Sequence, residues 1–404
     1  MVAQHTVAGR VPNPDNRPGH AAWPFPARQP NLRISTLHAA IAASLILGAG
    51  LVVGADRAST GAIELAIGDL KGPGFSAKAI RIEFTGEGLT HARLHVGDVA
   101  ALDRHWRNVV ISCAAFRLER SVIACDDGQL EAPVALPIAF RHDIESGSGS
   151  LSVTPAGEER WTVETSSGSP RRIVAHVKNA PAARIHLIAP ALGVKIGAGL
   201  FDGTLIAIIP DAGDMRVEAE ITLRAGAFAD ESGLHAGEGL GARFALHAQG
   251  RGDTWQWRTE EEWSQGEIFW SPVYTKSGFR LTAEGTVDAR TIEIARATLS
   301  ADEVGEVRAS ATIDRRTRDM VRAQVDTGEL AVAPLYARFL QPALAQTALG
   351  ELRAEGRIRA SLGWQDGKLI RATFDLEDLS AEDLRGRFAL FGMFASLPWR
   401  ADER

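Results

Sequence analysis

The sequence predicts a mainly β protein: an elongated antiparallel meander with few short helices, preceded by one N-terminal transmembrane helix. Three observations lead to this prediction. Apolar and polar residues alternate along most of the chain, clusters of Gly, Asp and Ser separate the alternating segments, and one long apolar run lies at residues 37–55. Alternation with period two is typical of strands that have one apolar face and one more polar, solvent-exposed face.

The long apolar run reads LHAAIAASLILGAGLVVGA and contains no charged residue. Its length is close to the roughly 20 residues that a helix needs to cross a bilayer. We therefore expect a transmembrane helix over residues 35–55. Two alternatives stay open: a cleavable signal peptide that ends near Val53-Gly54-Ala55, and a buried helix of a soluble domain. The expected anchor residues are Leu37, Ile41, Leu45, Leu47, Leu51 and Val53.

The segment before this run is rich in Pro and Arg. Arg10, Arg17, Arg28 and Arg33 are balanced by only one acid, Asp15. Positive charge next to a membrane helix favours the cytoplasmic side, and the composition is typical of disorder. Residues 1–34 are therefore expected to form a disordered cytoplasmic tail, and 56–404 a periplasmic β-rich domain of a single-pass bacterial inner-membrane protein.

The domain after the run contains about 18 to 22 strand candidates at spacings of about 8 to 15 residues, which favours an antiparallel meander. In KAIRIEFTGEGL, for example, Ile80, Ile82 and Phe84 share one face. The clearest helical pattern is VAPLYARFLQPALAQTAL, which predicts a short helix near 332–346. Pro342 should kink or end that helix.

Both cysteines lie in the stretch NVVISCAAFRLERSVIACDDGQLE, which reads as two strands around a short turn. With a loop at Leu118-Glu119-Arg120, Cys113 directly opposes Cys125, at a Cα distance of roughly 4.5 Å that is within disulfide reach. We expect a Cys113–Cys125 disulfide, which agrees with an oxidising compartment. The alternative is a pair of buried free thiols.

The sequence contains no recognisable catalytic, metal-binding or cofactor-binding motif. The histidines are scattered without a zinc-protease spacing, no Gly-x-Ser-x-Gly element is present, and the glycine-rich loops lack a phosphate-binding Lys-Ser or Lys-Thr. The acidic triplet at 260–262 is interpreted as a solvated strand or turn. No basic stripe suggests nucleic acid. The protein is therefore expected not to be an enzyme and to need no cofactor.

The stretch DTWQWRTEEEWSQGEIFWSPVY contains four of the nine tryptophans. Trp255 and Trp257 lie on one face of a strand, and a turn is expected at Ser264-Gln265-Gly266 before Trp270 on the returning strand. These rings pack across strands in a core, or they form an apolar surface that meets acyl chains or a partner. A long sheet with one apolar face and few helices must close, pack as a sandwich, or curl into a groove.

Three segments resemble the AsmA-like proteins of Gram-negative envelopes, and within them the YdbH branch: ISCAAFRLERSVIACDDGQL (111–130), GEIFWSPVYTKSGFRLTAEGTVD (266–288) and residues 349–399. The resemblance implies a taco-like sheet curled into a groove that carries phospholipid between the inner and outer membranes, without catalytic residues.

The resemblance leads to a specific expectation of function. The chain would bind acyl chains along an apolar groove while the headgroups stay in water, because burying a phosphate charge is costly. The alternative is a non-transporting envelope scaffold, or a secretion or assembly component, that recruits other envelope proteins through open sheet edges. The groove-lining candidates are Ile80, Ile82, Phe84, Trp255, Trp257, Trp270 and Phe279.

Overall fold

The computed structural model describes residues 62–72, 75–101, 104–132, 135–185, 194–271, 273–347 and 349–401. Within these ranges, 23 strands form one antiparallel sheet that does not close, which confirms the predicted mainly β fold. The predicted tail at 1–34 and the predicted transmembrane helix at 35–55, with its anchor residues, lie outside the described residues. In the part of the chain that is described, none of the helices has the length and apolar character needed to cross a bilayer.

Most of the strands follow one another with short connections. They are β1 (Ile63–Gly72), β2 (Phe75–Thr85), β3 (His91–Ala101), β4 (Arg104–Cys113), β5 (Phe116–Glu119), β6 (Val122–Ala132), β7 (Leu136–Asp143), β8 (Gly149–Val153), β9 (Arg160–Ser166), β10 (Arg171–Pro181), β11 (Lys195–Ile209), β12 (Met215–Ala229), β13 (His235–Arg251), β14 (Thr254–Trp270), β15 (Val273–Lys276), β16 (Phe279–Val287), β17 (Thr291–Ala301), β18 (Gly305–Asp314), β19 (Met320–Thr327), β20 (Leu330–Ala331), β21 (Leu352–Gln365), β22 (Lys368–Asp383) and β23 (Ala389–Arg400).

The sheet is a meander in which almost every strand pairs with its successor in the chain. Three short strands lie beside the main ladder and pair with part of one longer neighbour only: β5 with β6, β15 with β14, and β20 with β21. The main ladder bypasses them, because β4 also pairs with β6, β14 with β16, and β19 with β21. Such sequential pairing is the outcome that alternating segments joined by turn residues predict.

The described sheet has two edges. β1 pairs only with β2, and β23 pairs only with β22. The β1 edge carries Glu64, Asp69 and Lys71, and charges of this kind discourage strand addition. The β23 edge has no charged residue between Ala389 and Trp399, so its backbone groups are not protected in this way.

The packed core lies in the first half of the sheet. One continuous cluster of buried apolar side chains draws on β2 to β11, from Ala77 to Phe201, and Val96 at its centre is 0% exposed. Its members include Ile80, Val99, Val109, Leu130, Trp161 and Phe201. A sheet face buried this completely needs a second apolar layer over it.

The cysteines form the predicted disulfide, with a Cα distance of 5.9 Å between Cys113 and Cys125. The predicted register was wrong. Glu119 pairs with Val122, so the loop has only two residues, and Arg120 in this loop has a positive φ of 50°. A two-residue loop of this kind matches the twist of the flanking strands.

The disulfide spans a register shift instead of joining directly opposed residues. Cys125 opposes Phe116, while Cys113 opposes Gly128. A Cβ atom at Gly128 would lie 2.8 Å from the Cys125 Sγ, so glycine at this position leaves room for the sulfur to reach Cys113. The bond closes a short loop and contributes about 2 to 4 kcal/mol to stability.

The helix predicted near 332–346 is present, but Pro342 does not end it. The segment consists of α1 (Val332–Leu335), a π-helical turn (Tyr336–Leu340) and α2 (Gln341–Leu344), and we call it the helical segment. Pro342 occupies the first turn of α2, where its missing N–H costs least.

The turn predicted at Ser264-Gln265-Gly266 is absent, because residues 254–270 form one continuous strand, β14. The glycine has a φ of 90°, and the pairing with β13 shifts register between Glu238 and Ala242. These features are typical of β-bulges, in which an extra residue bends a strand without ending it. A Gly-containing polar cluster therefore marked a bulge and not a hairpin.

Candidate functional site

We call β1 to β11 the first half of the sheet and β12 to β23 the second half. The second half continues the apolar face of the first half. Directly opposed residues of antiparallel strands share a face. The register therefore joins three rows of side chains that run across the strands from β12 onwards. They are Val217–Ala248–Trp257–Gly285–Ile294, Ala219–Leu246–Thr259–Ala283–Ala297 and Ile221–Phe244–Glu261–Leu281–Leu299–Val307.

We call this surface the half-exposed face, and its large apolar members are half-buried or exposed. Leu299 is 38% exposed, Phe374 is 38% exposed and Leu397 is 55% exposed, whereas Val96, in the core of the first half, is 0% exposed. The face continues to the end of the described sheet. Its large members are Val217, Ile221, Phe244, Leu246, Trp255, Trp257, Trp263, Phe279, Leu281, Ile294, Leu299, Val307, Val325, Ile358, Leu362, Trp364, Phe374, Leu376, Leu397 and Trp399.

The opposite face of the same strands is charged. Ion pairs bridge neighbouring strands there, including Arg243–Glu220 at 2.9 Å and Arg280–Glu262 at 3.4 Å. Their side chains are about half exposed, so each pair adds little stability. The two faces thus differ sharply in polarity, and this difference decides which of them an apolar ligand can contact.

The helical segment covers one end of the half-exposed face. Phe339 contacts Phe279, with ring centroids 6.0 Å apart, and Phe279 stacks on Trp263 at 5.3 Å. Arg338 lies over the Phe279 ring at 4.3 Å and donates hydrogen bonds to the carbonyl oxygens of Lys276 and Ser277. This end of the face is therefore capped by the protein's own side chains.

One carboxylate interrupts the half-exposed face. Glu261 is directly opposite Phe244 on one side and Leu281 on the other. Its sequence neighbours Glu260 and Glu262 point to the charged face, where they pair with Arg258 and Arg280. Burial among apolar neighbours raises the pKa of Glu261, since a low-dielectric environment disfavours the charged form.

A polar atom without a partner lies on the same face. The indole Nε1 of Trp257 is buried and has no hydrogen-bond acceptor among the described residues. Trp257 lies opposite Gly285, where an added Cβ would come within 2.9 Å of the Trp257 ring. The glycine thus leaves room for the indole ring and for the backbone oxygen of Glu293, which an added Cβ would approach even more closely.

The predicted groove residues lie in three different environments. Ile80 and Ile82 are 1% and 4% exposed in the packed core, and Phe84 packs against that core, so Ile80 and Ile82 present no surface to a ligand. Trp255 and Trp257 lie on the half-exposed face, as does the capped Phe279. The β14–β16 pairing places Phe279 opposite Trp263, six residues beyond Trp257 and roughly 20 Å away along the strand.

Trp270 lies apart from the other predicted residues. It is 13 positions beyond Trp257 on β14, which corresponds to roughly 40 Å along a strand. Its ring contacts His235 at a centroid distance of 4.0 Å and is 52% exposed. The four tryptophans of this stretch therefore do not form one continuous apolar surface.

Two important residues were missed by sequence reasoning. The acidic triplet at 260–262 was interpreted as a solvated strand or turn, whereas the side chain of Glu261 faces apolar residues. Leu281 was not selected although it opposes both Glu261 and Leu299. The alternation of Trp257, Thr259, Glu261 and Trp263 was a usable signal, because it places the carboxylate on the tryptophan face.

Comparison of the chain with models of protein families, with curated proteins and with solved structures finds no match. Among the described residues, no group of three or more His, Cys, Asp or Glu side chains is placed to hold a metal ion.

Proposed function

We propose that this chain is an envelope protein of the AsmA-like, YdbH type that binds phospholipid acyl chains on the half-exposed face. The observation that carries the proposal is the difference between the two halves of one sheet. The apolar face is packed into one buried cluster that runs from β2 to Phe201 of β11, and most of its large side chains are half-buried or exposed along β12 to β23. An exposed apolar surface of this extent is typical of a binding surface.

The proposed architecture is a sheet that curls along its length, so that the half-exposed face lines a groove. The buried cluster of the first half supports this, because one sheet can bury its face so fully only if the sheet bends over the cluster. In the second half, the apolar rows would then form the inner face of the groove, and the ion pairs would lie on its outer, solvent-facing side.

Acyl chains fit such a surface energetically. Each buried CH₂ group contributes about 0.8 kcal/mol. Burial of about 15 of them therefore contributes about 12 kcal/mol, which is comparable to the roughly 4 to 15 kcal/mol that association costs. The phosphate would stay in contact with water, because an unpaired buried charge is costly. Transfer then requires no chemical step, only movement of the lipid's acyl chains from one apolar row of the protein to the next.

The cellular setting is part of the same proposal. A helix at 35–55 would anchor the chain in the inner membrane, with the sheet in the periplasm and phospholipid passing between the two membranes. The Cys113–Cys125 disulfide supports an oxidising compartment, since such bonds persist mainly outside the cytoplasm.

A second candidate function is an assembly scaffold, and the β23 edge is the observation that favours it. β23 lacks a second neighbour among the described strands, and five of its large apolar side chains are exposed: Leu390, Phe391, Phe394, Leu397 and Trp399. From Ala389 to Leu397 this edge is uncharged and largely apolar, which suits pairing with a strand of another protein, and Pro398, which has no backbone N–H, limits the pairing to residues before it.

Phospholipid that co-purifies with the protein tests the first proposal against the second. The full chain is purified in a detergent, exchanged into a lipid-free amphipol, and analysed by native mass spectrometry. We expect at least one phospholipid per protein molecule. Protein that is folded and free of lipid would contradict lipid binding, and a strand partner retained in its place would favour the scaffold.

A further inference from the structure

We propose that Glu261 is a selectivity site for the ammonium group of a zwitterionic phospholipid, which rests on the proposed lipid-binding function. Among the side chains that the described register places in the three rows of the half-exposed face, Glu261 is the single charged one. A carboxylate in the middle of an apolar row contributes nothing to packing that leucine would not provide. Its presence therefore points to a ligand of opposite charge.

The described part of the protein offers the carboxylate of Glu261 no polar partner. Within the described residues, no hydrogen bond or ion pair involves its carboxylate. The hydroxyl of Thr259, two residues away on the same face, already donates to the carbonyl oxygen of Ala245 at 3.0 Å. Arg338, the cation beside Phe279, is used by backbone carbonyls and by the Phe279 ring.

The chemistry of the position favours an ammonium group over a phosphate. Phe244 and Leu281 lower the local dielectric on both sides of the carboxylate, and attraction between opposite charges grows in such surroundings. Burial raises the pKa of Glu261, and a bound cation would offset that cost. A headgroup with a net negative charge and no ammonium group would instead be repelled.

The unpartnered Nε1 of Trp257 indicates that the same face meets polar ligand atoms at a second position. This indole is four residues from Glu261 on the same face of β14, roughly 13 Å away along the strand. An ester oxygen of a glycerolipid would accept its hydrogen bond once the indole turns outward, because Nε1 is buried in the free protein. A phospholipid that lies along the strand would thus contact a hydrogen-bond donor at Trp257 and a negatively charged acceptor at Glu261.

The test compares phosphatidylethanolamine with phosphatidylglycerol of identical acyl chains. The full chain is incubated with vesicles that contain equal amounts of the two lipids, and the bound lipids are quantified by mass spectrometry. Wild-type protein is expected to enrich phosphatidylethanolamine about tenfold, the effect of one charge-assisted contact. Glu261→Gln should bring the ratio close to one while the total bound lipid is maintained.

Glu262→Gln is the matched control, because it removes the same charge from the adjacent residue on the opposite face. Its lipid ratio should equal that of the wild type. A Glu261→Gln protein that keeps the wild-type ratio, or a control that loses it equally, would overturn the role of Glu261 while leaving lipid binding intact. Absence of bound lipid in all three proteins would instead overturn the proposed function itself.

Discussion

Leu299→Glu is expected to lower the phospholipid bound per protein molecule at least about tenfold, because an acyl chain on this surface would have to desolvate a carboxylate. Leu299 lies between Leu281 and Val307 on the half-exposed face and is 38% exposed. Its partial exposure means that the new charge stays hydrated in the free protein, so folding should be little affected. Bound lipid is measured by mass spectrometry, and folding by circular dichroism.

Thr298→Glu is the control for this substitution. Thr298 is the adjacent residue of β17 and points to the charged face, opposite Arg308. The added charge is the same, but lipid binding should not change. Equal loss of lipid in both variants would show that net charge matters and the face does not, which would contradict the assignment of the binding surface.

Val96→Asp is expected to destabilise the first half of the sheet by about 5 kcal/mol or more, since it buries a carboxyl group without partners. Val96 is 0% exposed and lies between Ile80 and Val109, each 1% exposed. No water can reach the new side chain without opening the core. The free energy of unfolding is measured by urea denaturation followed by circular dichroism.

The same change at Val307 provides the comparison, because this valine lies on the half-exposed face. Val307→Asp should cost only about 1 to 2 kcal/mol, as the carboxylate can remain solvated. If the two substitutions cost the same, the two halves of the sheet would be equally filled. The contrast between a packed half and an accessible half would then be wrong.

The fold class was predictable because its signal is local. Period-two alternation needs only the residues of one strand, and Ile80, Ile82 and Phe84 indicate a strand without any knowledge of their neighbours. The disulfide was predictable for a similar reason, since Cys113 and Cys125 flank a single turn. The pairing register was not, because the loop at 120–121 and the shift beside Gly128 depend on backbone conformation.

The accessible part of the apolar face could not be predicted from the sequence. Ile80 and Leu281 occupy equivalent places in alternating strands, yet Ile80 is buried and Leu281 is half-buried. The difference depends on whether a second layer lies over the strand, and this involves residues far apart in the chain. The function of Glu261 was hidden likewise, because an acidic triplet is usually solvated and only the register shows which carboxylate faces the apolar rows.

Site-specific photo-crosslinking along β16 tests the central claim most directly. A photoreactive amino acid is introduced in turn at Leu281, Thr282, Ala283 and Glu284, and the protein is irradiated with phospholipid that carries a labelled acyl chain. Positions 281 and 283 lie on the half-exposed face, while 282 and 284 lie on the charged face. We expect crosslinks at 281 and 283 and none at 282 and 284. Equal yields at all four positions, or no crosslink at 281 and 283, would contradict binding of acyl chains on this face.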